Sequence, residues 1–444
     1  MGGYSFRGYR FREMALASTS FDMRRPASIL PAILTTIALS AHAFAADPPL
    51  SPEEAVKIGL AQNPQVAAGK AGVASAYANY RSIGAMSPIT LSGSHVQGTS
   101  TAPTLNGTNN DTFIDIGDTF DLSGQKRYQA AGANAQFRAT RYTFQETLLT
   151  LEQQIRDAYW SLAAAQAQTR IADVGLAEAQ RVHELTVTQE KAGSSPRGDV
   201  VRSSIDVANA KQAVFTARGA EKTALIALNT LLARDPSTPE VLSVDLGDFA
   251  AVPPSPVPPL EELQAQALAN RPLLKSAAEQ TRASDYAVRQ AERARFPDLT
   301  IDYQRSTRES FDTLIFGASL PLFDFGSIRH SIRAAKETRK QNEALQQQTR
   351  QQIQQQVAQA YSDLDIAVQA AAEYRKEILE PSLTLLEMAQ LGYKQGATGI
   401  LPVIDAESTI RNARVGYINS LLAVFKAQDE ILAATGELPK TANK

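Results

Sequence analysis

The sequence predicts a mainly α-helical protein with a small β part. It is built as two copies of one unit, each holding a pair of strands and one very long, coiled-coil-like helical hairpin. Three observations predict this. First, the same anchors recur in one order, some 203 to 208 residues apart. Leu50-Ser51-Pro52-Glu53-Glu54, running to Asn63-Pro64, returns as Leu260-Glu261-Glu262-Leu263, running to Arg271-Pro272. Asp121-Leu122-Ser123-Gly124-Gln125-Lys126-Arg127 returns as Phe323-Asp324-Phe325-Gly326-Ser327-Ile328-Arg329, and Lys191-Ala192-Gly193 as Lys394-Gln395-Gly396. A period this long marks a duplicated unit rather than a solenoid repeat. Second, Gly124 to Gly193 contains no proline and Gly326 to Gly396 only Pro381; either stretch as one helix would run about 105 Å. Third, each long stretch is preceded by two segments of period-two alternation, the mark of strands.

In chain order, residues 1–45 read as a cleavable leader. Arg24-Arg25 precede an 11-residue apolar run, 29–39, and Ala43-Phe44-Ala45 offers a small-residue cleavage site, the three parts of a secretory signal peptide. The run is too short to span a bilayer. Translation starts at Met1 or at Met23, the latter giving the basic segment an ordinary length. Residues 46–250 form the first unit and 251–259 a proline-rich, stiff connector. Residues 260–438 form the second unit and 439–444 a tail. Ser51, Pro52 and Glu54 spell the start of a helix, a capping box with proline in the first turn.

The strands are expected at about 89–97, 111–122, 298–305 and 311–322. Leu299, Ile301 and Tyr303 alternate with Thr300, Asp302 and Gln304; Leu314, Phe316 and Ala318 alternate with Ile315, Gly317 and Ser319. One apolar and one small or polar face fits a transmembrane barrel strand and a half-buried soluble strand alike. The long hairpins are expected at about 124–233 and 326–435. Their seams keep a 3/4 spacing: Leu148, Leu151, Ile155, Ala158, Leu162, Ala165 and Thr169 in the first, Ile353, Val357, Ala360, Leu364, Ala367 and Ala371 in the second. Pro381 should kink the second long helix. Glutamine fills 10 of the 19 positions from Gln341 to Gln359 while Ile353 and Val357 hold the helical period, so the tract is the wet face of a helix.

Composition narrows the function. The 44 basic and 46 acidic residues give a net charge of −2, with no basic field for nucleic acid. Cysteine is absent, which excludes disulfides, thiolate metal sites, a Cys nucleophile and a lipid anchor on Cys. The four histidines (His42, His95, His183, His330) show no ligand spacing, and no Walker-type phosphate loop occurs. No catalytic residue, metal site or cofactor is expected, and the chain is read as a non-enzyme. His183 reads as a packed or rim histidine, and Tyr159 and Trp160 as packing anchors.

Four strands cannot close a barrel in lipid, because their outer edges would leave backbone groups unpaired in hydrocarbon. Transmembrane strands therefore require several chains to share a barrel: two give eight strands and three give twelve. The long helices would continue such a tube into the periplasm.

At this point the chain resembles the TolC-like outer-membrane efflux protein family. The motifs that carry the resemblance are the duplicated Gly-Gln-Lys-Arg and Asp-Phe-Gly-Ser-Ile-Arg starts of the long helices. With them go the hairpin turns Gly193 to Asp199-Val200-Val201 and Gly396 to Val403-Ile404-Asp405-Ala406, and the return helix Asn412-Ala413-Arg414 with Tyr417. The resemblance implies a homotrimer with a 12-stranded transmembrane β-barrel in outer-membrane lipid and a trimeric α-barrel extending into the periplasm. It also implies docking to a periplasmic adaptor (membrane fusion) protein and an inner-membrane pump. It further implies a periplasmic tip gated by tyrosine, arginine and aspartate contacts. Tyr393, Asp405 and Asp199 stand at matching positions, Thr398 replaces the expected arginine and Pro402 an aspartate, and Arg197 or Lys394 would supply the cation. The other reading of Asp199 and Asp405 is helix capping after the turns. The function expected is an outer-membrane exit duct for small solutes in a tripartite efflux system. The rival is a soluble periplasmic coiled-coil adaptor or scaffold.

Overall fold

A computed structural model describes residues 49–85, 88–99, 108–248, 258–307, 312–319 and 324–436. The leader expected at 1–45, most of the proline-rich connector and the 439–444 tail lie outside the described residues. The first half comprises α1 (Pro52–Gln62), α2 (Pro64–Ile83), β1 (Thr90–Thr99), β2 (Thr108–Phe120), α3 (Gln125–Lys191) and α4 (Arg197–Leu231). The second comprises α5 (Leu260–Asn270), α6 (Pro272–Arg293), β3 (Asp298–Ser306), β4 (Asp312–Ser319), α7 (Ser327–Tyr374), a π-helical turn Arg375–Leu379, α8 (Glu380–Lys394) and α9 (Leu401–Thr435).

Local chemistry sets the boundaries. Ser51 and Glu54 form the reciprocal capping box of α1. Before α3 and α7, Gly124 and Gly326 take left-handed backbone (φ 71° and 88°), a conformation that costs glycine least. An aspartate just upstream then reaches over the helix start: Asp324 Oδ2 accepts from the Ile328 N–H at 3.0 Å, and Asp121 Oδ2 accepts from the Lys126 N–H. Free N–H groups at a helix start are satisfied by this arrangement. Pro381 acts one turn early. It removes a backbone donor, and the chain widens into the π-helical turn just before it, where the Glu380 N–H reaches Arg375 O. The first long helix has no proline and runs unbroken for 67 residues, about 100 Å.

The four strands make one antiparallel sheet in the order β1-β2-β3-β4. Register places Leu91, Ile116, Tyr303 and Leu314 in one row and Asp118, Ile301 and Phe316 in another, both on the same face. The opposite face carries Ser92, Asp115, Gln304 and Thr313, with Gln304 Nε2 donating to Asp115 Oδ1 at 2.7 Å. Nothing within the described residues covers the apolar face: Leu91 is 72% exposed and Phe316 66%. Strands β1 and β4 are the two edges of the sheet.

Apolar packing runs along the seams. Leu151, Ile155, Tyr159 and Leu162 of α3 are buried with Leu228 and Leu232 at the end of α4, each aliphatic side chain contributing about 1.5–3 kcal/mol. Ile353, Val357, Ala360 and Leu364 of α7 pack against Val424, Ala427 and Ile431 of α9. Trp160 stacks on Phe425 at 4.1 Å and donates to Asp429 Oδ2 at 2.7 Å, joining the halves. Tyr159, fully buried, donates to Leu50 O at 2.9 Å. Both residues are packing anchors, as the sequence suggests.

Candidate functional site

The tips are built the same way twice. Gly193 (φ 74°) and Gly396 (φ 72°) end α3 and α8 in left-handed backbone. After each, the next residue's N–H reaches five residues back, Ser194 to Gln189 O and Ala397 to Gly392 O, both at 2.9 Å. This double closure satisfies the last carbonyls of the helix and reverses the chain sharply. Thr398, at the expected arginine position, folds back on Gly392. Pro402 occupies the first turn of α9, where a missing N–H costs nothing.

Of the five predicted tip residues, the structure brings Tyr393 and Asp199 together. The Tyr393 hydroxyl, at the end of α8, donates to Gln189 Oε1 on α3, bridging the two hairpins. Burial raises its phenol pKa, and the Asp199 carboxylate adds to the rise. Asp199 lies half-buried in the first turn of α4 and accepts from Ser195 Oγ at 3.2 Å. Among the described residues it makes no capping bond to backbone; α4 and α9 begin at Pro196 and Ile400 without side-chain caps. Asp405 is exposed, one turn into α9. Arg197 and Lys394 are exposed, and among the described residues neither forms an ion pair with Asp199 or Asp405. His183 shares a 2.8 Å hydrogen bond with Ser203 of α4 and is half-buried, a rim histidine.

Below the tip lies a cleft of about 450 Å³, lined by Val182, Leu185, Ile400 and Val403 with Arg181 and Lys394. Glu407 closes its floor, 3% exposed. Beside it Arg411 Nη2 meets Asp206 Oδ1 of α4 at 3.3 Å. The sequence reading did not single out Glu407, Arg411 or Asp206. The available signal was a Glu–Arg pair at i,i+4 flanking the buried positions Val403, Ala406 and Ile410.

No group of three or more His, Cys, Asp or Glu able to hold a metal occurs among the described residues, and no described helix is long and apolar enough to cross a membrane.

Comparison with known proteins agrees with this architecture. OprN, an outer-membrane channel of known structure, superposes with a TM-score of 0.76 over 87% of this chain and 89% of its own, at 22% identity. CyaE of Bordetella pertussis is 26% identical over 338 residues, covering 72% of this chain and 69% of that protein. The cobalt-zinc-cadmium resistance protein CzcC of Cupriavidus metallidurans is 26% identical over 323 residues, covering 70% and 73%. The model of a family described as outer membrane efflux protein matches residues 56–234 and 263–437, both halves in turn. The chain therefore belongs to the outer membrane efflux protein family, the outer-membrane components of efflux pumps.

Proposed function

We propose that three copies of this chain form a passive exit duct that carries small solutes across the outer membrane and is closed at its periplasmic end by the hairpin tips. The observation that carries this reading is the sheet: four strands, one apolar face left exposed and two unpaired edges. Such a sheet is stable in lipid only when neighbouring chains close it. Three chains supply twelve strands, with the apolar face outward and the face holding Asp115 and Gln304 toward a wet lumen. The helical part supports the same closure. On α4, Val201, Ile205, Phe215 and Ile226 form an exposed apolar stripe, and Ile378 of the π-helical turn forms another with Leu385 and Met388 of α8. Two different stripes on one chain suit head-to-tail packing around a ring. The recurring element order, with matching caps and turns, supports an internal duplication.

At the tip, Asp199, Arg197, Tyr393, Lys394 and Asp405, carried on the turns at Gly193 and Gly396, are the gate residues in this reading. Arg197 and Lys394 pair with acids of the next chain rather than their own. A periplasmic adaptor and an inner-membrane pump complete the system and supply the energy. Small solutes are favoured as cargo by the name of the metal-resistance relative. Secretion through a cleaved leader without a lipid anchor delivers the chain to the outer membrane.

The decisive measurement is the mass of the mature protein extracted from outer membranes. A mass near three chains, obtained only with detergent, is expected. A monomer released by osmotic shock would overturn the shared barrel and the gate with it.

A further inference from the structure

The seam beneath the tip holds more charge than it can satisfy. Glu407 of α9 and Asp206 of α4 are 3% and 8% exposed, and Arg411 reaches over Gly175 of α3, where a Cβ would lie 2.4 Å from its Cδ. One atom of each of these three charged side chains, Glu407 Oε2, Asp206 Oδ2 and Arg411 Nη1, is buried without a hydrogen-bond partner. Buried orphans of this kind are costly and call for an explanation. The groups facing Glu407 are Glu178 and Arg181 from α3, Asp206 from α4 and Arg411 from α9, with Tyr393 and Lys394 of α8 on the same cleft. Within the buried seam the two acids Glu407 and Asp206 face one base, Arg411, so the seam is one positive charge short, while Glu178, Arg181 and Lys394 line the adjoining cleft. The cleft itself presents two acids and two bases, so its charge selects no ligand. What the seam lacks, a proton supplies.

We propose that Glu407 is a proton-operated latch between the two hairpins of one chain: protonated, it lets α9 pack against α3 and α4, and ionised, it drives them apart and favours an open tip. The placement suits the role, since Glu407 sits on the first turns of α9, on the same cleft as Tyr393, Gln189 and the Val182–Ile400–Val403 cluster that join the hairpins nearer the turns. Burial pushes the Glu407 carboxyl up to about 7, with Glu178 reinforcing the rise and Arg411 opposing it. The sign follows. In an open, hydrated tip the group returns to an ordinary carboxylate value, so the closed form is favoured fully below about pH 4.5 and loses that advantage as pH rises to about 7. The closed-to-open ratio should fall by up to about a hundredfold across that range.

The latch rests on the gate reading above, so its test carries a readout independent of conduction. Conductance of the full mature protein in planar bilayers should rise between pH 5 and 8. Glu407→Gln should stay closed throughout, Glu407→Asp should keep a step, and Glu178→Gln should move the step to lower pH. Because the chain has no cysteine, spin labels on Lys191→Cys and Gln395→Cys report hairpin separation directly. Separation that grows with pH in a protein that does not conduct keeps the latch and removes the gate. Separation indifferent to pH, or a Glu407→Gln or Glu178→Gln variant that titrates like the parent, overturns the latch.

Discussion

Asp157 sits half-buried on α3, and burial pushes its carboxyl up to about 6, with Asp429 and Glu430 reinforcing the rise and Lys426 opposing it. A carboxyl raised in the folded state supports folding while it is protonated and loses that support as pH rises through about 6. Asp157→Asn should therefore stabilise the protein by about 1 kcal/mol at pH 8, after allowance for solvent screening, and change little at pH 4. Thermal melts in detergent at the two pH values check this, and equal shifts at both would refute it. At the turns, a Cβ on Gly193 or Gly396 would meet no atom within 4 Å. Only the backbone resists, so Gly→Ala at either position should cost about 1 kcal/mol. Hydrogen exchange should show that loss confined to the tip amides.

The junction between α5 and α6 shows how a short element fixes a long one. Arg271 sits between them, its Nε and Nη2 on Glu146 Oε1 of α3 at 2.9 and 2.7 Å and its Nη1 on Ala434 O at the end of α9. Its counterpart Asn63, between α1 and α2, donates to Leu231 O at the end of α4. Each hairpin's return helix is thus tied to the helix pair that begins its own half. Arg271→Ala strands the largely buried Glu146 and should cost about 3 kcal/mol, read as a lower midpoint in denaturant, whereas Arg271→Gln should recover part. At this scale the sequence was informative wherever the cause is local. Ser51 with Glu54, the aspartate–glycine starts of α3 and α7, and the two glycine turns each declare themselves within five residues. The response to Pro381 was harder to place, because the missing hydrogen bond is absorbed by a π-helical turn upstream rather than at the proline. The Glu407–Arg411–Asp206 seam was illegible. Its meaning depends on α3, α4 and α9 meeting, and its partners lie some 200 residues apart in the chain. For the same reason Gln189, an ordinary glutamine in sequence, becomes the acceptor that holds Tyr393.

Across the whole molecule, the predictions concern assembly and passage. Phe215→Glu places a charge in the exposed stripe of α4 and should shift the detergent-extracted mass from three chains toward one, with helix content unchanged. Retention of the full mass would exclude α4 from the contact. Asp199→Ala with Asp405→Ala removes two acids per chain at the proposed gate and should raise basal conductance and weaken cation preference; an unchanged channel would remove both residues from the gate. The open-edged sheet has a consequence for inheritance as well. If β1 and β4 find partners only on neighbouring chains, a defective edge disables every ring that it joins. In the proposed three-chain ring, a cell making equal amounts of sound and damaged chains would hold about one ring in eight wholly sound. Lesions at these edges should therefore behave as dominant alleles, suppressing a healthy copy rather than hiding behind it.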